Sequence, residues 1–254
     1  MKLRDLFGYE KPNHLLTAKA AIFGLECEIE SVGSINISSG KIAHVEDGSL
    51  RNNGREFLTV PSNREEALEL FHNIHAEVEF NRPEEKFSQR TSIHVHMNCL
   101  SLETVEISNI IRNYAMLEPL FFMMVDSERL HNIHCVPLSE TFLPKFYSHD
   151  LKPLIKRWHK YTALNIKPLS DLGTIEFRHM HGHDDTVLLN EWLTVLENLF
   201  LYGREFSAES LSIDNVTKLY TQIFGRTRIN GMGGALPTLL SNNIIDLKKS
   251  LVNN

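Results

Sequence analysis

The sequence predicts an α+β fold in which a mainly antiparallel sheet is backed by helices. Candidate strands alternate apolar and polar residues, as strands do when one face packs on a core and the other meets solvent. Long connections with amphipathic helical segments separate these strands, which favours helices collected on one face of the sheet. We expect a single domain over residues 1–254, with its motifs at about 20–200 and a helical extension at 205–254.

Composition excludes several classes of protein. Of 254 residues, 42% are apolar, which allows a continuous core and argues against global disorder. The formal net charge of −6 lacks the basic surplus of a dedicated nucleic-acid binder. No apolar run reaches the roughly 20 residues of a membrane span, and the three cysteines form no CxxC pair. We therefore expect a cytoplasmic protein in a reducing compartment, with no nucleic-acid or membrane partner.

Four candidate strands carry charged or imidazole side chains at alternate positions, so that these side chains share a face within each strand. They are Glu26, Glu28 and Glu30 in 19–30, Glu56 in 55–61, His94, His96 and Asn98 in 90–99, and Thr174, Glu176 and Arg178 in 173–180. A further strand is expected at 161–167.

Helices are expected between the strands. Ser62 and Glu65 have the spacing of a capping box before the first long helix, and a second helix covers roughly 101–118. A third helix begins at about Asp185.

Three other features of the chain have open interpretations. Residues 126–160 are irregular and polar and are expected to form a long loop or lid. The glycines of NGMGGALP at 230–237 are compatible with a phosphate-binding turn. Glu118 lies on the apolar side of its predicted helix and needs a partner, which is either functional or structural.

The charged strand faces have the composition of a metal and phosphate site. Mg²⁺ takes oxygen ligands, mostly carboxylates and phosphates, and Arg178 offers a planar pair of donors to phosphate oxygens. Each pattern also has an ordinary alternative. Alternating glutamates or histidines are typical of a solvated strand face, and a Glu–Arg pair is typical of a surface ion pair. Three such patterns favour a functional site if the polar faces converge.

The sequence contains 13 histidines, more than a core usually needs. Three of them fall in the run HMHGH and carry the donors of a metal site: His179, His181 and His183. If the strand continues through them, they face away from Glu176 and Arg178. The alternative is a strand end followed by a helix cap at Asp184 or Asp185.

The order of the motifs resembles the amidoligase family, which belongs with the carboxylate–amine ligases of the glutamine synthetase and γ-glutamylcysteine synthetase superfamily. The motifs, within about residues 20–200, are FGLECEIE, EDGSL with GREFLTVP, SIHVH, RNYAMLE, KYTALN and TIEFR. The resemblance implies a curved, glutamine synthetase-like sheet that holds ATP and two or more Mg²⁺ on its open face. Family members are often encoded by phages or bacteria.

The resemblance also implies roles for residues at matching positions. The implied metal ligands are Glu26, Glu28, Glu56, Glu176 and His94. The implied nucleotide contacts are Arg178, His96 and Glu176, and the implied catalytic residues are Arg178, His94 and His96. The implied substrate positions are Asp47, Ser49, Tyr161 and Asn165.

These features together predict an ATP- and Mg²⁺-dependent ligase. ATP would phosphorylate a carboxylate, and an amine would attack the acyl phosphate to form an amide. The expected partners are small-molecule or peptide carboxylate and amine substrates, such as an amino acid, a peptide or a cell-wall-type amine. A metal-dependent hydrolase that uses the histidines and a non-catalytic binding protein that keeps the fold are the alternatives. The identity of both substrates, the choice between ATP and GTP, and the oligomeric state stay open.

Overall fold

A computed structural model of the chain describes residues 1–141, 150–206 and 212–225, together with residues 238 and 242. The strands are β1 (Phe23–Ile29), β2 (Val32–Ile35), β3 (Ile42–Glu46), β4 (Arg55–Thr59), β5 (Val78–Phe80), β6 (Ser92–Asn98), β7 (Leu164–Asn165) and β8 (Thr174–His181). The helices are α1 (Leu3–Phe7), α2 (Asn13–Leu16), α3 (Arg64–Glu77), α4 (Thr104–Met123), α5 (Leu151–Arg157), α6 (Thr186–Tyr202) and α7 (Ile213–Phe224). The predicted glycine-rich turn at 230–237 lies outside the described residues.

Six strands form the central sheet in the order β3-β4-β1-β6-β8-β7, and all neighbours in it are antiparallel. Strands β2 and β5 form a separate antiparallel pair. The prediction of an α+β fold with an antiparallel sheet backed by helices is confirmed. Within the described ranges, no helix combines the length and the apolar character that crossing a bilayer requires.

One face of the sheet is apolar and packs on the long helices. Leu25 of β1 pairs with Val95 of β6, which pairs with Phe177 of β8, so one buried row crosses three strands. From α4, the rings of Tyr114 and Phe121 lie 6.1 and 6.5 Å from the ring of Phe177. Burial of each such side chain contributes about 1.5–3 kcal/mol. This packing fixes the sheet and leaves its other face free for polar residues.

Of the two predicted N-terminal caps, one is wrong and one is confirmed. The predicted capping box of Ser62 and Glu65 is wrong, because Ser62 pairs with Phe23 through backbone hydrogen bonds. Instead, Asn63 caps α3 and accepts a hydrogen bond of 2.9 Å from the Glu66 amide. At α6, the side chain of Asp185 accepts from two backbone amides, and the cap predicted there is confirmed.

The segment predicted as a loop or lid, 126–160, is largely packed where it is described. Short 3₁₀ turns cover Ser127–His131 and Leu138–Glu140, and α5 follows. Arg129, Cys135 and Trp158 are buried, and the Trp158 indole donates to the Leu164 carbonyl at 2.8 Å. The prediction of an irregular segment is confirmed for 126–141 and is wrong for Leu151–Arg157, which forms α5, whereas a role as a lid stays a prediction. Residues 142–149 lie outside the described residues.

The buried carboxylate of Glu118 has three structural hydrogen-bond donors. Its carboxylate accepts hydrogen bonds from the Tyr114 hydroxyl at 3.0 Å and from the amides of Leu138 and Ser139 at 2.7 and 3.2 Å. The Tyr114 hydroxyl also lies 2.7 Å from Nε2 of the buried His179. Burial raises the pKa of Glu118 to about 7, against the opposing effect of the amide donors. This network connects α4 to His179 of β8 and to the backbone of residues 138–139.

The raised pKa of Glu118 predicts a specific pH dependence of stability. A carboxyl group that holds its proton more tightly when folded stabilises fully below its ordinary pKa of 4.5, and that contribution is lost as the pH rises through about 7. The difference corresponds to about 3 kcal/mol. The stability of the wild type relative to Glu118→Gln should therefore fall by about that amount between pH 4.5 and pH 8, as measured by urea unfolding.

The surface variant Glu84→Gln is the matched control, since Glu84 is exposed and is not among the groups that shift the pKa of Glu118. Its free energy of unfolding should stay within about 0.5 kcal/mol of the wild type at every pH. A constant difference between wild type and Glu118→Gln across this range would contradict the prediction.

Candidate functional site

The polar face of β4, β1, β6 and β8 brings the charged residues of the sequence motifs together. Residues that pair across neighbouring antiparallel strands share a face. The pairs are Glu28 with Glu56, Glu26 with His94, and His96 with Glu176. Arg178 lies on the same face of β8 and contacts the Glu176 carboxylate through Nη1. The polar faces of four adjacent strands therefore converge.

Glu26, His96 and Glu176 have the geometry of a cation site. One ligand atom from each residue lies within 4.8 Å of the other two, and no second group of this kind occurs among the described residues. His96 Nδ1 lies 2.8 Å from the Thr174 hydroxyl. The buried Nε2 lies 2.9 Å from Glu26 Oε1 but has no hydrogen-bond partner. Two carboxylates and an imidazole, which offers a lone pair at Nε2 in its deprotonated form, fit a divalent cation such as Mg²⁺ or Mn²⁺.

Negative charge accumulates on this face. Four carboxylates share it with one guanidinium, that of Arg178, and Arg178 also donates to the His134 carbonyl at 3.0 Å. The carboxylates are those of Glu26, Glu28, Glu56 and Glu176. Burial, together with the charges of Glu26 and Glu28, raises the pKa of Glu56 to about 7. A bound cation would offset this repulsion.

Two histidines shift the pKa of Glu26 in the opposite direction, to a lower value. Burial alone would raise the pKa of Glu26, but contacts with His94 and His96 lower that pKa below its ordinary value. The Ser92 hydroxyl donates to Glu28 at 2.5 Å, so it can only accept from His94 Nε2 at 2.8 Å. His94 Nδ1 then faces Glu26 and Glu176 at 3.2 and 3.4 Å. A neighbouring cation would reduce the repulsion between the lone pair of His94 Nδ1 and the two carboxylates.

A basic cavity of about 890 Å³ adjoins the Glu28 and Arg178 end of the cluster. Four arginines line it against two carboxylates, so the cavity favours anions: Arg51, Arg90, Arg129 and Arg178 against Glu28 and Asp47. Ser49 and Tyr161 also line it.

An apolar cavity of about 290 Å³ adjoins the opposite end of the cluster, beside Glu26 and His96. Its lining includes the apolar side chains of Leu15, Ile22, Leu58, Pro61 and Leu172. The cluster therefore separates two cavities of different chemistry.

The structure brings together the eleven residues for which the resemblance implies a role. Seven lie on the polar face, namely Glu26, Glu28, Glu56, His94, His96, Glu176 and Arg178. Asp47, Ser49 and Tyr161 line the basic cavity, and Asn165 donates to Glu176 at 2.6 Å. The chemical role of each residue stays a prediction.

Arg129 was not singled out by the sequence, although it supports β8 directly. Its Nε donates to the His179 carbonyl at 2.9 Å and its Nη2 to the Arg178 carbonyl at 2.6 Å. The guanidinium is buried, and it binds where β8 carries one extra residue relative to β6. Arg129 follows no strand alternation in the sequence, so no pattern indicated this contact.

The extra residue forms a β-bulge. The residues of β8 after the bulge therefore lie on the face opposite to the one that strict alternation predicts. His179 and Met180 are both buried in the core, and Met180 pairs with Ile93. His181 then pairs with Ser92, whose hydroxyl lies on the polar face. The expectation that His181 faces away from Glu176 and Arg178 is therefore wrong, whereas His179 does face away. The HMHGH run contributes no three-residue metal group among the described residues.

Comparisons with known proteins give a distant structural similarity. No family model matches the chain, and no curated protein matches its sequence. The chain is similar to the crystal structure of a bifunctional glutathione synthetase from Pasteurella multocida, with a TM-score of 0.49 and 10% sequence identity. The match covers 92% of this chain and 48% of the other, so the chain spans about half the length of that protein.

The buried contacts of Arg129 predict that it stabilises the bulge. Arg129→Lys removes the planar pair of donors and leaves one or both carbonyls unpaired, which should lower the free energy of unfolding by about 1–3 kcal/mol. Amides around Arg178 and His179 should exchange faster with deuterium. The control is Arg90→Lys, because Arg90 also donates to a backbone carbonyl but is exposed. Equal exchange rates in the two variants would contradict this role.

The carboxylate cluster predicts binding of a divalent cation. Glu176→Gln should weaken Mn²⁺ binding at least tenfold, because it removes a charged ligand from the group. Electron paramagnetic resonance of free Mn²⁺ measures the affinity directly. The exposed Glu65→Gln on α3 is the control and should bind Mn²⁺ like the wild type. Unchanged affinity in Glu176→Gln would exclude a cation at these residues.

Proposed function

We propose that the chain is an ATP- and Mg²⁺-dependent carboxylate–amine ligase that forms an amide through an acyl phosphate. The observation that carries the proposal is the group of Glu26, His96 and Glu176 on three adjacent strands, beside Arg178. This group lies between an apolar cavity and a basic cavity. The order of motifs that resembles the amidoligase family points to the same chemistry.

Mg²⁺ is the cation that the proposal requires. Glu26, His96 and Glu176 would hold one ion, and the cross-strand partners Glu28 and Glu56 would help to hold another. When bound, the cation neutralises charge on the phosphates and on the transferring phosphoryl group. The excess of carboxylates over cationic groups on this face supports this assignment.

Each cavity suits a different part of the reactants. The apolar cavity has the lining that a purine base requires, whereas the basic cavity attracts the phosphates and the carboxylate substrate. Arg178 is held by the His134 carbonyl and by Glu176, so its guanidinium is oriented in advance toward the phosphoryl group. The first step is ATP⁴⁻ + RCOO⁻ → RCO–OPO₃²⁻ + ADP³⁻, in which a carboxylate oxygen attacks the γ-phosphorus.

A metal-dependent hydrolase that uses the histidines has less support. Its ligands would include His94, His96 and His181, but the group of three donors found among the described residues contains a single histidine, His96, beside Glu26 and Glu176. The HMHGH run forms no such group among these residues, and its His179 is buried in the core. A non-catalytic protein that keeps the fold would show no turnover, which the following experiment detects.

Isotope transfer tests the acyl phosphate before the amine is identified. The protein is incubated with ATP or GTP, Mg²⁺, hydroxylamine and a library of carboxylates labelled with ¹⁸O. Hydroxylamine attacks the carbonyl carbon of an acyl phosphate, so the C–O bond breaks and the bridging ¹⁸O leaves with phosphate. One ¹⁸O atom should appear in inorganic phosphate, and ADP or GDP should form in equal amount, as measured by mass spectrometry. ADP formation without label in phosphate would indicate a nucleotide hydrolase instead.

Nucleotide binding provides a second test with matched variants. Arg178→Lys should weaken Mg²⁺-dependent binding of a fluorescent ATP analogue at least tenfold, because lysine cannot present two parallel donors to phosphate. Arg82→Lys is the control, since Arg82 is exposed and pairs with Glu85 away from the cluster. No Mg²⁺-dependent nucleotide binding by the wild type would refute the proposed function.

A further inference from the structure

A glycine occupies a position inside the central sheet, where strands ordinarily carry larger side chains. Gly24 lies in β1, which has a neighbouring strand on each side, and it pairs with His96 of β6. Glycine weakens a strand, because it loses more conformational freedom on folding than other residues and has no side chain to pack. Within the described strands the other glycine is Gly33, and there a Cβ would lie only 3.1 Å from the Glu79 carbonyl oxygen. Packing therefore explains Gly33, and Gly24 needs a reason of its own.

Neither the backbone nor the packing requires glycine at position 24. The described glycines with a positive φ are Gly8, Gly173 and Gly225. The backbone of Gly24 is therefore one that alanine adopts. Apart from the chain neighbours, a Cβ there would meet two described atoms within 4 Å, the Thr59 carbonyl oxygen at 3.7 Å and His96 Cβ at 3.9 Å. Both are ordinary van der Waals distances, so a methyl group fits.

Gly24 is also not the extra residue of a β-bulge. On the side of β6, the register of β1 is unbroken. On the side of β4, Glu26 pairs with Leu58. Three positions earlier in β1, Phe23 pairs with Ser62, which lies four positions after Leu58. The extra residue therefore lies in the chain after β4, and the fold gives no reason for glycine at position 24.

The missing side chain borders the apolar cavity beside the carboxylate cluster. Because side chains alternate along a strand, a Cβ at position 24 would lie on the same face as Glu26, and both residues line this cavity. Gly24 is partly exposed, so its backbone is accessible from the cavity. A strand glycine that neither conformation nor packing requires is typical of a place where a ligand approaches the backbone closely.

We propose that the purine base of the nucleotide lies directly against the backbone of Gly24, which is glycine in order to admit the base. The inference rests on the proposed function and names the residue that determines how the base fits. Dispersion attraction is strongest when heavy atoms lie about 3.5–4.0 Å apart. A Cβ between the ring and the backbone would prevent that approach, and in a cavity of about 290 Å³ the ring has little room to move aside.

The substitution Gly24→Ala separates the requirement of the fold from that of the ligand. It should raise Tm by about 1–4 °C, because alanine lowers the entropy of the unfolded chain and its Cβ meets no close contact. It should also lower the affinity for the purine nucleotide that binds the wild type more tightly, Mg²⁺-ATP or Mg²⁺-GTP, at least threefold by isothermal titration calorimetry. Gly24→Val suits a strand and fills more of the cavity, so it should lower that affinity at least tenfold.

Two controls separate the base from the rest of the nucleotide. Gly40→Ala is the matched variant, because Gly40 is exposed and its Cβ would meet no described atom within 4 Å apart from chain neighbours. It should bind the nucleotide like the wild type. Mg²⁺-tripolyphosphate has the phosphates without a base, so Gly24→Ala and the wild type should bind it equally. An equal fall in the affinities for tripolyphosphate and nucleotide would overturn the inference.

The remaining outcomes separate this inference from the proposed function. A lower Tm of Gly24→Ala would show that the fold requires glycine, and an unchanged nucleotide affinity would show that no base lies against it. Either result would overturn the inference even if acyl phosphate formation is intact. Conversely, nucleotide binding that depends on Gly24, without acyl phosphate formation, would support the base site and refute the ligase. A wild type that binds neither nucleotide would overturn both.

Discussion

The repulsion among four carboxylates on one face of the sheet is the constraint on which the site depends. Strand pairing forces it, because Glu28 lies opposite Glu56 and Glu26 lies beside the row of His96 and Glu176. An apolar core on the other face supplies the free energy that keeps the strands in this register. The site is therefore a local concentration of unfavourable charge that the core stabilises, and a bound cation would offset that charge.

Charge changes sign along the polar face. The carboxylate cluster lies at its middle, an apolar cavity lies beyond His96, and a cavity rich in arginine lies beyond Arg178. Such an order suits a ligand that is apolar at one end and polyanionic at the other.

The strand faces were predictable from the sequence because alternation with period two fixes which side chains lie together. Glu26, His96, Glu176 and Arg178 were found in this way, and Ser92 could have been found by extending the alternation back from His94. Arg129 could not, because its place depends on a turn in an irregular segment. The cap at Asn63 was misassigned because two polar residues competed for one position, and backbone pairing of Ser62 decided between them.

Because of the bulge in β8, the face that each later side chain occupies depends on the number of residues in the strand and not on their types. One extra residue lets both His179 and Met180 enter the core while His181 reaches the opposite face. Deleting a single residue there would restore strict alternation, which would turn either an apolar side chain outward or a polar one inward without changing the character of the sequence. In TIEFRHMH, the residue types determine which chemical groups are available. The number of residues determines which of these side chains lie on the same face of the sheet.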